Sequence, residues 1–82
     1  MICTGLIKVK RVGEGFEVCV GDRSWSVDVL RGISLIGDEG CAEGVVRIEY
    51  REVVEGYDPV SKRWRVRTVA AASIHGIPVT CG

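Results

Sequence analysis

The chain has 82 residues, 46% hydrophobic and 27% charged, with eleven acidic and eleven basic side chains for a formal net charge of zero. That balance excludes a disordered chain and a uniformly basic nucleic-acid-coating surface, while leaving room for a local basic patch. A single domain over residues 1–82 is expected, with a core small enough that short loops, cross-links or self-association would help to hold it.

Periodicity is of the strand kind almost throughout. Ile7 and Val9 alternate with Lys8 and Lys10, and Gly13-Glu14-Gly15 turns the chain. Phe16, Val18 and Val20 then alternate with Glu17 and Cys19, up to a second turn at Gly21-Asp22-Arg23. Trp25, Val27 and Val29 alternate with Ser24, Ser26 and Asp28, which completes a predicted meander of three antiparallel strands. In the stretch Leu30 to Gly44, Ile33, Leu35 and Ile36 suit a short strand or one helical turn. Gly37 to Gly44, with three glycines, reads as a surface loop.

A long hairpin follows. Val46, Ile48 and Tyr50 alternate with Arg47, Glu49 and Arg51, and Tyr57 to Lys62 forms the turn with Pro59 in a favoured position. On the return, Trp64, Val66, Thr68, Ala70 and Ala72 alternate with Arg63, Arg65 and Arg67. Placing Tyr50 opposite Thr68, Val54 opposite Trp64 and Ile48 opposite Ala70 yields one mostly apolar and one mostly charged face, the agreement that sets register. Each arm would be about 36 Å long, against a radius of gyration of about 12 Å for a compact chain of this length. The hairpin should therefore bend around a barrel, protrude or pair with another subunit. The chain is expected to break at His75-Gly76 and to add a short edge strand over Ile77 to Cys81, where Pro78 is tolerated. The predicted fold is all-β: a small five- to six-stranded antiparallel barrel or roll, OB-fold-like, with a three-strand meander followed by a long hairpin.

The chain contains no Asn and no Gln. Amide depletion is part of the hyperthermophile compositional pattern, so a heat-adapted source is expected, and in such organisms cytosolic disulfides are common. Of the three pairings open to Cys3, Cys19, Cys41 and Cys81, Cys3 with Cys81 and Cys19 with Cys41 is the one of most interest, since it would tie both ends of the chain. Four buried free thiols are the alternative. No C-x-x-C spacing points to a metal, and neither a metal nor a cofactor is expected. Met1 to Lys8 lacks the pattern of a signal peptide, and no apolar run approaches the roughly 18 residues that span a bilayer. A cytoplasmic protein with no membrane partner is expected.

The basic ladder is the leading candidate site. Charge is segregated, with seven acids against two bases over residues 13–43 and six bases against four acids over residues 44–82. Arg63, Arg65 and Arg67 alternate on one strand, Arg47 and Arg51 stand on the partner strand, and Lys62 and Tyr57 lie at the hairpin end. Guanidinium groups beside aromatic rings suit single-stranded nucleic acid, by phosphate neutralisation and base stacking. The structural alternative is a solvated ion-pair ladder with Glu49, Glu52 and Glu55. Trp25 and Trp64 fall on apolar parities and read as core. His75 reads as a loop residue, and no catalytic set can be assembled around it, so a non-enzymatic protein is expected. The small residues Val69 to Ser73 suit either a barrel corner or contact with a second subunit, and a homo-oligomer built on the 45–74 hairpin is the alternative function.

Overall fold

The structure, a computed structural model, describes residues 1–81. It is all-β, with β1 Ile2–Val12, β2 Gly15–Val20, β3 Arg23–Val27, β4 Val29–Arg31, β5 Glu39–Asp58 and β6 Arg63–Val79. They form one sheet in the order β3-β2-β1-β5-β6-β4. Every pairing is antiparallel except β4 with β6, which is parallel. The expected meander is β1 to β3, in which Val9 lies opposite Val18 and Val18 opposite Trp25, but its third strand ends at Val27, and Val29, expected to continue it, opens β4.

Asp28 alone separates β3 from β4, yet these strands occupy opposite edges of the sheet. One residue advances the chain by only about 3.8 Å, so the sheet must curl until its two edges nearly meet. Asp28 fastens that seam: its N–H donates to the Ala70 carbonyl at 2.8 Å, and the Ala70 N–H donates to Asp28 Oδ2 at 3.1 Å. The ladder itself is open. Inside the curl, Ile7, Val9, Val18, Val27, Ala42, Val46, Ile48, Ala70, Ala72 and Ile74 make one buried cluster, with Trp25 packed against it. Ala71, Ala72 and Ser73 lie beside β4, so the run of small side chains serves the seam.

Four further sequence expectations are corrected. Glu39 to Gly44 is not a surface loop but the start of the 20-residue strand β5. Likewise, β6 runs through His75-Gly76 without a break, so His75 is an exposed strand residue, and among the described residues Ile77 to Val79 continue β6 rather than forming a separate edge strand. The glycines concerned allow close backbone approach: Gly44 faces Gly76, and a Cβ on Gly44 would stand 2.5 Å from the Gly76 Cα. The hairpin register is shifted by two residues, with Ile48 opposite Ala72, Tyr50 opposite Ala70 and Val54 opposite Val66. An even shift preserves the faces.

The fourth correction concerns the disulfide, which joins Cys41 to Cys81 and leaves Cys3 and Cys19 free. Cys41 faces Val79 across the ladder, two residues from Cys81, and the two Cα atoms are 5.4 Å apart. Cys3 instead faces Val46 on the core side of the sheet. On the chain-entropy model, a closed loop of this length stabilises the fold by about 4 kcal/mol.

The molecule measures 52 × 25 × 21 Å with a radius of gyration of 15.3 Å, above the roughly 12 Å of a compact chain of this length. Beyond Ile48, β5 has only β6 beside it, and β6 before Val69 has only β5. The far end of the hairpin is thus a two-stranded arm, exposed along nearly its whole length.

Candidate functional site

The arm is built by strand alternation, a bulge and a tight turn. Its turn, Pro59 to Lys62, is held by Asp58. The Val60 N–H donates to Asp58 Oδ1 at 3.0 Å and the Ser61 hydroxyl to Oδ2 at 3.0 Å. The Val60 amide, then the Ser61 hydroxyl, holds the Asp58 carboxyl below the usual carboxylate range. Lys62 takes the left-handed conformation, with φ 57°, that returns the chain to Arg63. The ladder is irregular between Val54 and Gly56, where Glu55 is the extra residue, and a glycine in mid-strand suits such a bulge.

One face gathers Arg47, Arg51, Arg63, Arg65 and Arg67. The observed register sets Arg51 opposite Val69, and Arg67 opposite Val53, so no two arginines face each other directly and the like-charge penalty is avoided. Arg47 Nε pairs with Glu49 Oε1 at 2.8 Å, and Arg67 Nε with Glu55 Oε1 at 3.2 Å. Both pairs are solvent-exposed, so each contributes at most about 1 kcal/mol. Among the described residues, Arg51, Arg63, Arg65 and Lys62 have no carboxylate within 4.0 Å.

The opposite face carries Tyr50, Glu52, Val54, Tyr57, Trp64, Val66 and Thr68. Tyr57 and Trp64 are cross-strand partners, their ring centroids 4.9 Å apart. Trp64 is 65% exposed, which corrects its assignment to the core. Trp25, as expected, is partly buried against the core cluster. Plain alternation from Arg51 would have kept Tyr57 with the arginines; the bulge at Glu55 moves it to the other side. The structure therefore brings the five arginines together, sets Lys62 in the turn and places Tyr57 away from them. The signal that sequence reasoning missed is Gly56, next to that bulge.

The cysteines make a second feature. Lys8 on β1 stands between Cys19 on β2 and Cys41 on β5, all on the outer side of the sheet. Burial raises the Cys19 thiol pKa, and the Glu17 carboxylate, 3.4 Å away, raises it further against the opposing pull of Lys8. Such a thiol is a weak nucleophile at neutral pH. Among the described residues, no group of three or more His, Cys, Asp and Glu side chains is placed to hold a metal ion, and no helix is long and apolar enough to cross a membrane. The chain matches no protein-family model, no curated protein and no solved structure.

Proposed function

We propose that this protein is a non-enzymatic binding module whose working part is the hairpin arm, and that its arginine face engages nucleic acid with weak sequence specificity. The observation that carries this reading is the set of exposed, carboxylate-free cations on one side of a protruding ribbon: Arg51, Arg63, Arg65 and, at its tip, Lys62. Phosphate neutralisation by such groups supplies most of the affinity in sequence-independent binding. Because Tyr57 and Trp64 lie on the reverse side, stacking does not add to it there. We therefore infer a backbone-driven contact that accepts duplex as well as single strands, since a two-stranded ribbon also fits a major groove. An OB-fold-like barrel or roll belongs to this proposal as the finer architecture, favoured by the approach of the two sheet edges at Asp28. A heat-adapted cytoplasmic source is part of it too, because that setting reconciles a disulfide with a reducing compartment.

The test is fluorescence anisotropy with labelled single-stranded and duplex DNA and RNA. Neutralising four phosphates should weaken binding about a hundred-fold between about 50 and about 200 mM salt. No binding at either salt, or binding without that dependence, would remove the proposal. A second reading, a protein-interaction or homo-oligomeric assembly module using the 45–74 hairpin, is favoured by a different observation: Tyr50, Val54, Tyr57, Trp64 and Val66 lie exposed along the other face of the arm. A solution mass above the 8.9 kDa of one chain is its mark.

A further inference from the structure

We infer that the apolar face of the arm is covered by a second copy of this chain, the two arms packing face to face about a two-fold axis. The inference rests on the assembly reading and names its partner. The five exposed side chains on this face, three of them aromatic, offer on the order of 600 Å² of apolar surface. That equals the largest apolar patch a monomer ordinarily shows. An isolated two-stranded ribbon is also at best marginally stable in water, so this arm gains from a covering layer.

Area and charge both single out the second copy. Two such faces bury about 1,200 Å² together, the lower bound for a specific interface, which predicts a weak dimer. Among Tyr50, Glu52, Val54, Tyr57, Trp64, Val66 and Thr68, Glu52 is the sole charged residue, while all five arginines are on the reverse side. Packing these faces together sets no arginine against an arginine. An acidic partner would find its complement on the reverse side, not here.

The rows along the face run from polar to aromatic: Glu52 with Thr68, then Val54 with Val66, then Tyr57 with Trp64. A two-fold axis through the middle row, with the arms antiparallel, lays Glu52 of each copy over Tyr57 and Trp64 of the other. The phenol O–H and indole N–H are the donors that a carboxylate needs when it leaves water. The dimer then presents two arginine faces outward, in opposite directions.

Sedimentation equilibrium of the full chain over about two decades of micromolar concentration tests this. The wild-type mass should rise from 8.9 kDa toward twice that value. Trp64→Glu should stay monomeric, with Val54→Glu as a second variant should the first fail to fold, while Arg65→Glu should dimerise like wild type. A wild-type monomer, a species larger than a dimer, or a dimer that an apolar-face variant leaves intact overturns the inference. The assembly reading is judged separately by native mass spectrometry of the chain from its own cells. A partner of another mass there would end the second-copy inference and keep that reading, whereas a lone chain would end both.

Discussion

Ile48 and Val54 stand on the same strand and the same face, six rungs apart, yet Ile48 is 2% exposed and Val54 is 63% exposed. Both are β-branched apolar side chains with a glutamate next in the chain, Glu49 after Ile48 and Glu55 after Val54. What separates them is the rest of the sheet. Around Ile48, β1 lies alongside and the curl closed at Asp28 brings a second layer over the face; beside Val54 there is only β6. The body therefore uses alternation to make a core, whereas the arm uses the same alternation to display two surfaces of opposite character. An apolar stripe says which face is apolar. It does not say whether anything covers that face.

The widest separation should appear in core truncations. Ile48→Ala, which empties a fully buried site, should cost about 2–5 kcal/mol, whereas Val54→Ala should change stability by less than about 0.5 kcal/mol under conditions where the chain is monomeric. Urea unfolding of the two variants measures both. Equal losses would mean that the arm is covered within one chain.

Reduction should be the next largest effect. The Cys41–Cys81 bridge ties the start of β5 to the residues after β6, so a reductant should lower the unfolding free energy by about 4 kcal/mol. The arm, at the far end of the loop that the bridge closes, should keep its exposure. Chemical denaturation with and without reductant reads this directly, and an unchanged midpoint would contradict it.

Glycine substitutions sharpen the same contrast on a smaller scale. Gly76→Ala places a Cβ 2.5 Å from the Glu43 carbonyl oxygen, an overpacking that typically costs about 1–3 kcal/mol. Gly56→Ala, in the arm, meets nothing within 4 Å and should leave the unfolding midpoint nearly unchanged.

These positions also show what sequence could and could not convey. Alternation identified β1, β2, β3 and the two faces of the hairpin, because a period of two is visible without knowing any partner. Gly37 to Gly44 and Gly76 were expected to interrupt strands; Gly44 and Gly76 instead mark where neighbouring backbones touch, and nothing local distinguishes the two uses. The disulfide was beyond reach for a related reason, since the nearness of Cys81 to Cys41 follows from the β5–β6 register. That register turns on a single extra residue at Glu55 and a four-residue turn. The five arginines kept their common face through the two-residue shift, but Tyr57 did not follow them past the bulge.

The smallest effect belongs to the tip. The Asp58 carboxyl is held below its ordinary range in the folded arm, so its contribution to the turn is present above the unfolded carboxylate pKa and is lost as pH falls through the lowered, folded value. Acidification should release the Val60 amide, seen as a chemical-shift change, in step with Asp58 protonation and before the core unfolds. A Val60 amide that does not follow the Asp58 titration would place the turn's stability elsewhere.

The measurement that bears most directly on the arm as the binding element compares charge reversals in the two regions by anisotropy with a labelled duplex at about 50 mM salt. Arg63→Glu with Arg65→Glu should abolish binding, while Lys8→Glu with Lys10→Glu, on the exposed side of the body, should leave most of it. Equal losses from both pairs would contradict the assignment and return the arm's arginines to a solvated surface.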